Sequence, residues 1–171
     1  MNVLTKPPMY TKFTGKLLAS IKALRQQKLT VGFAESCTGG RLSALWAETA
    51  GVSDVFLGSI VSYSNQVKVD LLGVDVGALQ KHGAVSAEVA RQMAKGARTS
   101  LKVDWVVSIT GIAGPSGGSP DKPVGTVWFG IAGPKVEETC EQKFLGDRVE
   151  IQNAAAEFAT SWLAEKLGSA K

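Results

Sequence analysis

An apolar run from Leu29 to Ala34 ends in Glu35-Ser36-Cys37-Thr38-Gly39-Gly40-Arg41 and gives way to an amphipathic segment from Leu42 to Ala50. No other part of the chain constrains the fold as much. A buried strand turning directly into a helix belongs to layered α/β architectures, and its turn lies at the carboxyl edge of a sheet, where such folds bind ligands. The opening N–H groups of the helix have no partner within it and attract negative charge. Ser36 is therefore a candidate nucleophile beside an anion cradle. A hydroxyl at this place can also serve simply as a helix cap, and the stretch alone leaves both roles open.

The remaining pattern extends this unit in both directions. Phe13, Leu17, Ile21 and Leu24 recur at spacings of four, four and three, which marks an amphipathic helix behind a loose arm at residues 1–9. Val55 to Tyr63 reads as a second strand, followed by a short helix through Leu72 that Ser64 or Asn65 caps and Gly73 stops. Asp75 to Lys81 is a further short helix, and Ser86 opens a longer one reaching Ser100. Val103 to Ile109 is a buried strand, and a long Gly/Pro/Ser loop from Thr110 to Pro120 leads into another strand, Val124 to Ala132. A loop of that length between two strands of one domain points to function. Gly133-Pro134 turns into a last strand, Val136 to Leu145, and Ile151, Ala155, Phe158 and Trp162 mark a C-terminal helix. The order predicts a single three-layer α/β domain with a mixed central sheet over residues 10–171.

Composition removes several functions. Basic residues are scattered through a chain of net charge +4, with no Lys/Arg block interleaved with aromatics, so no nucleic-acid partner is expected. No apolar run approaches the length of a membrane span, and the N-terminus lacks the pattern of a signal peptide. Two distant cysteines, Cys37 and Cys140, give neither a metal spacing nor a disulfide framework, and reduced thiols in a cytoplasmic protein are expected. No metal site is expected, because His82 is the single histidine. The phosphate-loop and dinucleotide glycine motifs are both missing.

A serine nucleophile without histidine needs another base, and a lysine of lowered pKa can act as one. Lys68 follows a strand end as Ser36 does, and Tyr63 stands at that same strand end. Taken singly, Lys68 reads as a solvated helix residue and Tyr63 as a strand-edge aromatic. With the Ser36 turn and the glycine-rich loop they form a candidate Ser/Tyr/Lys constellation. Cys37 with His82 as base is the second arrangement these residues allow. Arg41 and Arg148 are candidate partners for an anionic substrate group.

The segments AESCTGG at 34–40, YSNQVK at 63–68, HGAVSAEVARQMA at 82–94 and TGIAGPSGGSPDKPVGTV at 110–127 resemble the CinA C-terminal-domain family, over about residues 10 to 168. The resemblance implies a nicotinamide-nucleotide amidase of the stand-alone form, a hydrolase of pyridine nucleotide salvage that acts on the carboxamide of nicotinamide mononucleotide (NMN). It places the nucleophile on Ser36 and its catalytic partners on Tyr63 and Lys68. Thr110, Gly111, Ala113 and Gly114 would line the site, with Thr38, Gly39, Gly40 and Arg148 completing the substrate-binding set. No cofactor is implied. The expected partner is the small-molecule substrate, within a homo-oligomer such as a dimer. A non-catalytic nucleotide-binding module using the same glycine-rich cradle is the alternative.

Overall fold

Residues 14–169 are described by the structure, a computed structural model; the expected arm at residues 1–9 and Phe13 lie outside them. Helix α1 (Thr14–Gln27) precedes β1 (Val31–Glu35), α2 (Arg41–Ala47), a 3-10 turn (Val52–Asp54) and β2 (Phe56–Val61). Helices α3 (Asn65–Leu72), α4 (Val76–His82) and α5 (Ala87–Leu101) come next. Strands β3 (Trp105–Gly111), β4 (Thr126–Gly133) and β5 (Val136–Lys143) follow, and α6 (Arg148–Ser169) ends the described chain. The sheet order is β2-β1-β3-β4-β5, with β1 parallel to both β2 and β3 and the last two pairings antiparallel. The expected mixed sheet between helical layers is the architecture found.

The two faces of this sheet are built from different residues. Strand side chains alternate between faces. One set comprises Val31 and Phe33 of β1, Trp105, Val107 and Ile109 of β3, and Val127, Phe129 and Ile131 of β4; it packs with α1, α2 and α6. Phe33, Trp46 and Phe56 form an aromatic group there, and Phe129, Phe144 and Phe158 a second. Each such side chain, fully buried, contributes roughly 1.5–3 kcal/mol. The opposite set is small, including Gly32, Ala34, Ser108 and Gly130, and it lets α5 come close. A Cβ on Gly130 would lie 2.4 Å from the Ala90 carbonyl of α5, and the Ser108 hydroxyl donates to that same oxygen at 2.6 Å.

Caps set the helix boundaries. Ser64, Asp75 and Ser86 each accept a hydrogen bond from the backbone N–H three residues on, and Gly73 ends α3 in the left-handed conformation. The expected second strand begins one residue later than read, because Val55 closes the 3-10 turn through its N–H to the Val52 carbonyl. Tyr63 lies beyond its end. The expected strand from Val124 starts at Thr126, since the chain enters it through Gly125 at φ +92°, where the Phe144 carbonyl would stand 2.0 Å from any Cβ.

Candidate active site

The carboxyl ends of the parallel strands β1, β2 and β3 converge on one edge of the sheet. Ser36 leaves β1 with its N–H on the Ile109 carbonyl of β3 at 3.0 Å, so the Ser36 turn begins as an extension of the ladder. Just past β2, α3 points Lys68 inward. The side chain is 1% exposed, and its Nζ donates to Ser36 Oγ at 2.9 Å and to the Ser62 carbonyl at 2.7 Å. Among the described residues Lys68 forms no ion pair. Burial without a neighbouring carboxylate penalises the ammonium form and lowers its pKa from 10.5 to about 8. A substantial neutral fraction near pH 8 is what a general base for a serine requires.

The adjacent thiol behaves in the opposite way. Burial pushes Cys37 up to about 12, which keeps it protonated and takes away its nucleophilicity. His82, the base that a Cys37 mechanism needs, is exposed at the end of α4 and does not line the cleft around Ser36.

That cleft encloses about 270 Å³. Ser36, Cys37 and Lys68 form its floor, Thr110, Gly111, Ala113 and Gly114 one wall, and Tyr63 and Arg148 part of its mouth. Thr110 Oγ1 donates to the Ala84 carbonyl at 2.9 Å, which brings the turn between α4 and α5 against the end of β3. Lys122 fastens that turn a second time, donating to the carbonyls of His82 and Val85, each at 2.8 Å. Ala84, Val85 and Asn65 therefore face the cleft. Ala84 and Val85 stand in the HGAVSAEVARQMA segment, but its pattern does not say that they face Ser36, because long-range bonds put them there. Tyr63, 60% exposed, accepts a hydrogen bond on its hydroxyl from Arg148 Nη2 at 2.6 Å, and the same guanidinium donates from Nη1 to the Gly114 carbonyl at 2.7 Å. Of the candidate Ser/Tyr/Lys constellation, Ser36 and Lys68 are hydrogen-bonded to each other, and the Tyr63 hydroxyl is bonded to Arg148 instead. Arg41 is turned away, with Nε on Asn153 Oδ1 at 3.1 Å.

Thr38, Gly39 and Gly40 do not line the cleft, in contrast to the expectation for them. The reason is Glu35, fully buried at the end of β1. Its carboxylate accepts from the N–H groups of Gly40, Leu42 and Ser43 at 2.9–3.1 Å and from the Ser43 hydroxyl. The Gly39 and Arg41 amides bond back to the carbonyls of Ser36 and Thr38. A residue inside the protein has thus taken the anion site at the start of α2, and of this turn only the Cys37 and Thr38 amides are unused by the cap. A charged residue closing an apolar strand just before Gly-Gly was the signal available in the sequence.

A wider surface depression of about 500 Å³ lies between α3, α5 and β5, where Glu88 pairs with Arg91 and Lys95 with Glu137. It brings together no nucleophile and base. Among the described residues no group of three or more His, Cys, Asp or Glu could hold a metal ion, and no helix is long and apolar enough to cross a membrane.

Comparison with known proteins bears on the family and the fold. A CinA-like protein of Nostoc punctiforme is 49% identical over 155 residues, covering 88% of this chain and 37% of that protein. One from Crocosphaera subtropica is 51% identical over 134 residues, covering 78% and 32%. The chain thus spans about a third of the length of these curated relatives. The crystal structure of a CinA superfamily protein from Klebsiella pneumoniae superposes with a TM-score of 0.87 at 33% identity, covering 91% of this chain and 97% of that one. The competence/damage inducible protein CihA from Agrobacterium tumefaciens gives 0.87 at 34% identity, covering 95% and 99%. The family model described as CinA C-terminal domain matches residues 16–167, and the chain belongs to that family.

Proposed function

We propose that this protein is a nicotinamide-nucleotide amidase, hydrolysing the carboxamide of NMN to nicotinic acid mononucleotide and ammonia. The observation that carries the reading is the buried Lys68 amine at 2.9 Å from Ser36 Oγ, with a pKa lowered to about 8. Neutral Lys68 takes the Ser36 proton as Oγ attacks the carboxamide carbon. The resulting ammonium returns that proton to the departing nitrogen, so ammonia leaves and an acyl ester remains on Ser36. Water then attacks the ester with Lys68 again as base, releasing the carboxylate and restoring the serine.

With the α2 amides committed to Glu35 and the Ile112 amide to the Thr126 carbonyl, the oxyanion falls to the amides of Cys37, Ala113 and Gly114. A well-placed donor contributes typically ~3–4 kcal/mol. Arg148, already at the mouth, is the cation nearest to hand for the substrate phosphate. Tyr63, which Arg148 holds at the entrance, orients the bound nucleotide.

The test is ammonia release by purified protein from NMN, with nicotinamide and nicotinamide riboside as comparison amides. Turnover of NMN well above both is expected. Tight NMN binding without ammonia release would replace this reading with a non-catalytic nucleotide-binding module.

A further inference from the structure

The Glu35 cap holds the nucleophile turn only downstream of Ser36, at Gly40, Leu42 and Ser43. The second peptide after the nucleophile, joining Cys37 to Thr38, is held from α6. Gln152 of α6, 5% exposed, donates from Nε2 to the Cys37 carbonyl at 2.6 Å. A glutamine is ordinarily a surface residue, and this one sits buried with its donor on a loop carbonyl 115 residues away. In a trans peptide the C=O and N–H point in opposite directions, so this bond sets the orientation of the Cys37–Thr38 plane and of the Thr38 amide, one of the two in this turn that the Glu35 cap leaves unused. One turn earlier on the same face of α6, Arg148 holds the Gly114 carbonyl and the Tyr63 hydroxyl. The opening turns of α6 therefore gather the nucleophile turn, the glycine-rich loop and the end of β2 into one frame.

We infer that Gln152 is a positioning residue for Ser36, aligning its Oγ and the neighbouring amides through the Cys37 carbonyl. The inference rests on Ser36 acting as nucleophile. Gln152→Met keeps the length of the side chain and removes the donor, and Gln152→Leu removes the donor with a shorter, branched side chain. Both are compared with wild type, below their melting temperatures, in NMN deamidation and in labelling of Ser36 by a fluorophosphonate. In the labelling step the Oγ–P bond forms, fluoride leaves and the serine proton passes to Lys68.

Both kcat and the labelling rate constant are expected to fall roughly tenfold or more, as misplaced reacting groups do. KM should stay within about twofold, and the rate inflection near pH 8 set by Lys68 should persist. Unchanged kcat and labelling in a folded variant would overturn the inference and leave Gln152 a packing residue. If Gln152→Met does not fold, the labelling rate of Gln152→Leu decides. If the wild type labels at Ser36 yet releases no ammonia from NMN, the substrate assignment fails, and the labelling comparison still decides on Gln152.

Discussion

Lys68 pairs a chemical advantage with a thermodynamic cost. Its pKa of about 8 in the folded protein, against 10.5 in an unfolded chain, means that below pH 8 folding must bury an ammonium ion. That penalty is present in full below the folded value and disappears as pH rises from about 8 toward 10.5, where the folded amine is already neutral. Lys68→Met should accordingly melt higher than wild type at pH 6 to 7, by about 1–3 kcal/mol, with the gain shrinking at higher pH. Thermal melts across that range check both sign and trend. The variant should have no deamidase activity, while the wild-type rate should rise through an inflection near pH 8. Ser36→Ala tests the other half of the pair, and turnover should vanish with stability changed by less than about 1 kcal/mol. Ser36, Lys68 and Tyr63 were legible because each stands in a short motif beside a strand end. Glu35 left one sign, a charge closing an apolar strand before Gly-Gly, whereas nothing in the neighbourhood of Gln152 announces a bond to a loop 115 residues away.

At the scale of elements, α3 brings Lys68 to the site only because α5 lets it come close. A Cβ on Gly96 would lie 1.7 Å from the Leu72 carbonyl, so α3 rests on bare backbone of α5. Gly96→Ala would force the helices apart, at a cost of about 2–4 kcal/mol. Chemical denaturation should show that loss, with activity falling as Lys68 retreats. Gly111 and Gly114 are held by the fold as well as by the site. A side chain on the first would meet Val127 at 2.8 Å, and the second takes φ +77° with Val124 at 2.5 Å. Substitutions there should unfold the protein before they report on substrate. Helix caps and strand positions were readable from local pattern at Ser64, Asp75, Ser86 and Gly73. The 3-10 turn at Val52–Asp54 escaped, as one turn leaves no periodicity. The order β2-β1-β3-β4-β5 escaped too, because strand pairing depends on which helix crosses which face.

For the whole molecule, α6 is the element that both completes the larger core and gathers the cleft. Ile151, Ala155, Ala159 and Leu163 are buried against α1, α2 and the sheet, while Arg148 and Gln152 reach the site. A chain ending at Asp147 should lose cooperative unfolding, which calorimetry would show as the disappearance of a sharp transition. The burial of Lys68 has a consequence in time as well. In an unfolded chain its amine is an ordinary lysine, protonated at neutral pH and far from any serine. On the proposed mechanism, reactivity at Ser36 is a property of the finished molecule, and nascent or half-assembled chains carry no nucleophilic serine to turn on bystander amides and esters. During refolding, capture of Ser36 by a fluorophosphonate should lag behind the burial of Trp46 and Trp105, as the last event recorded.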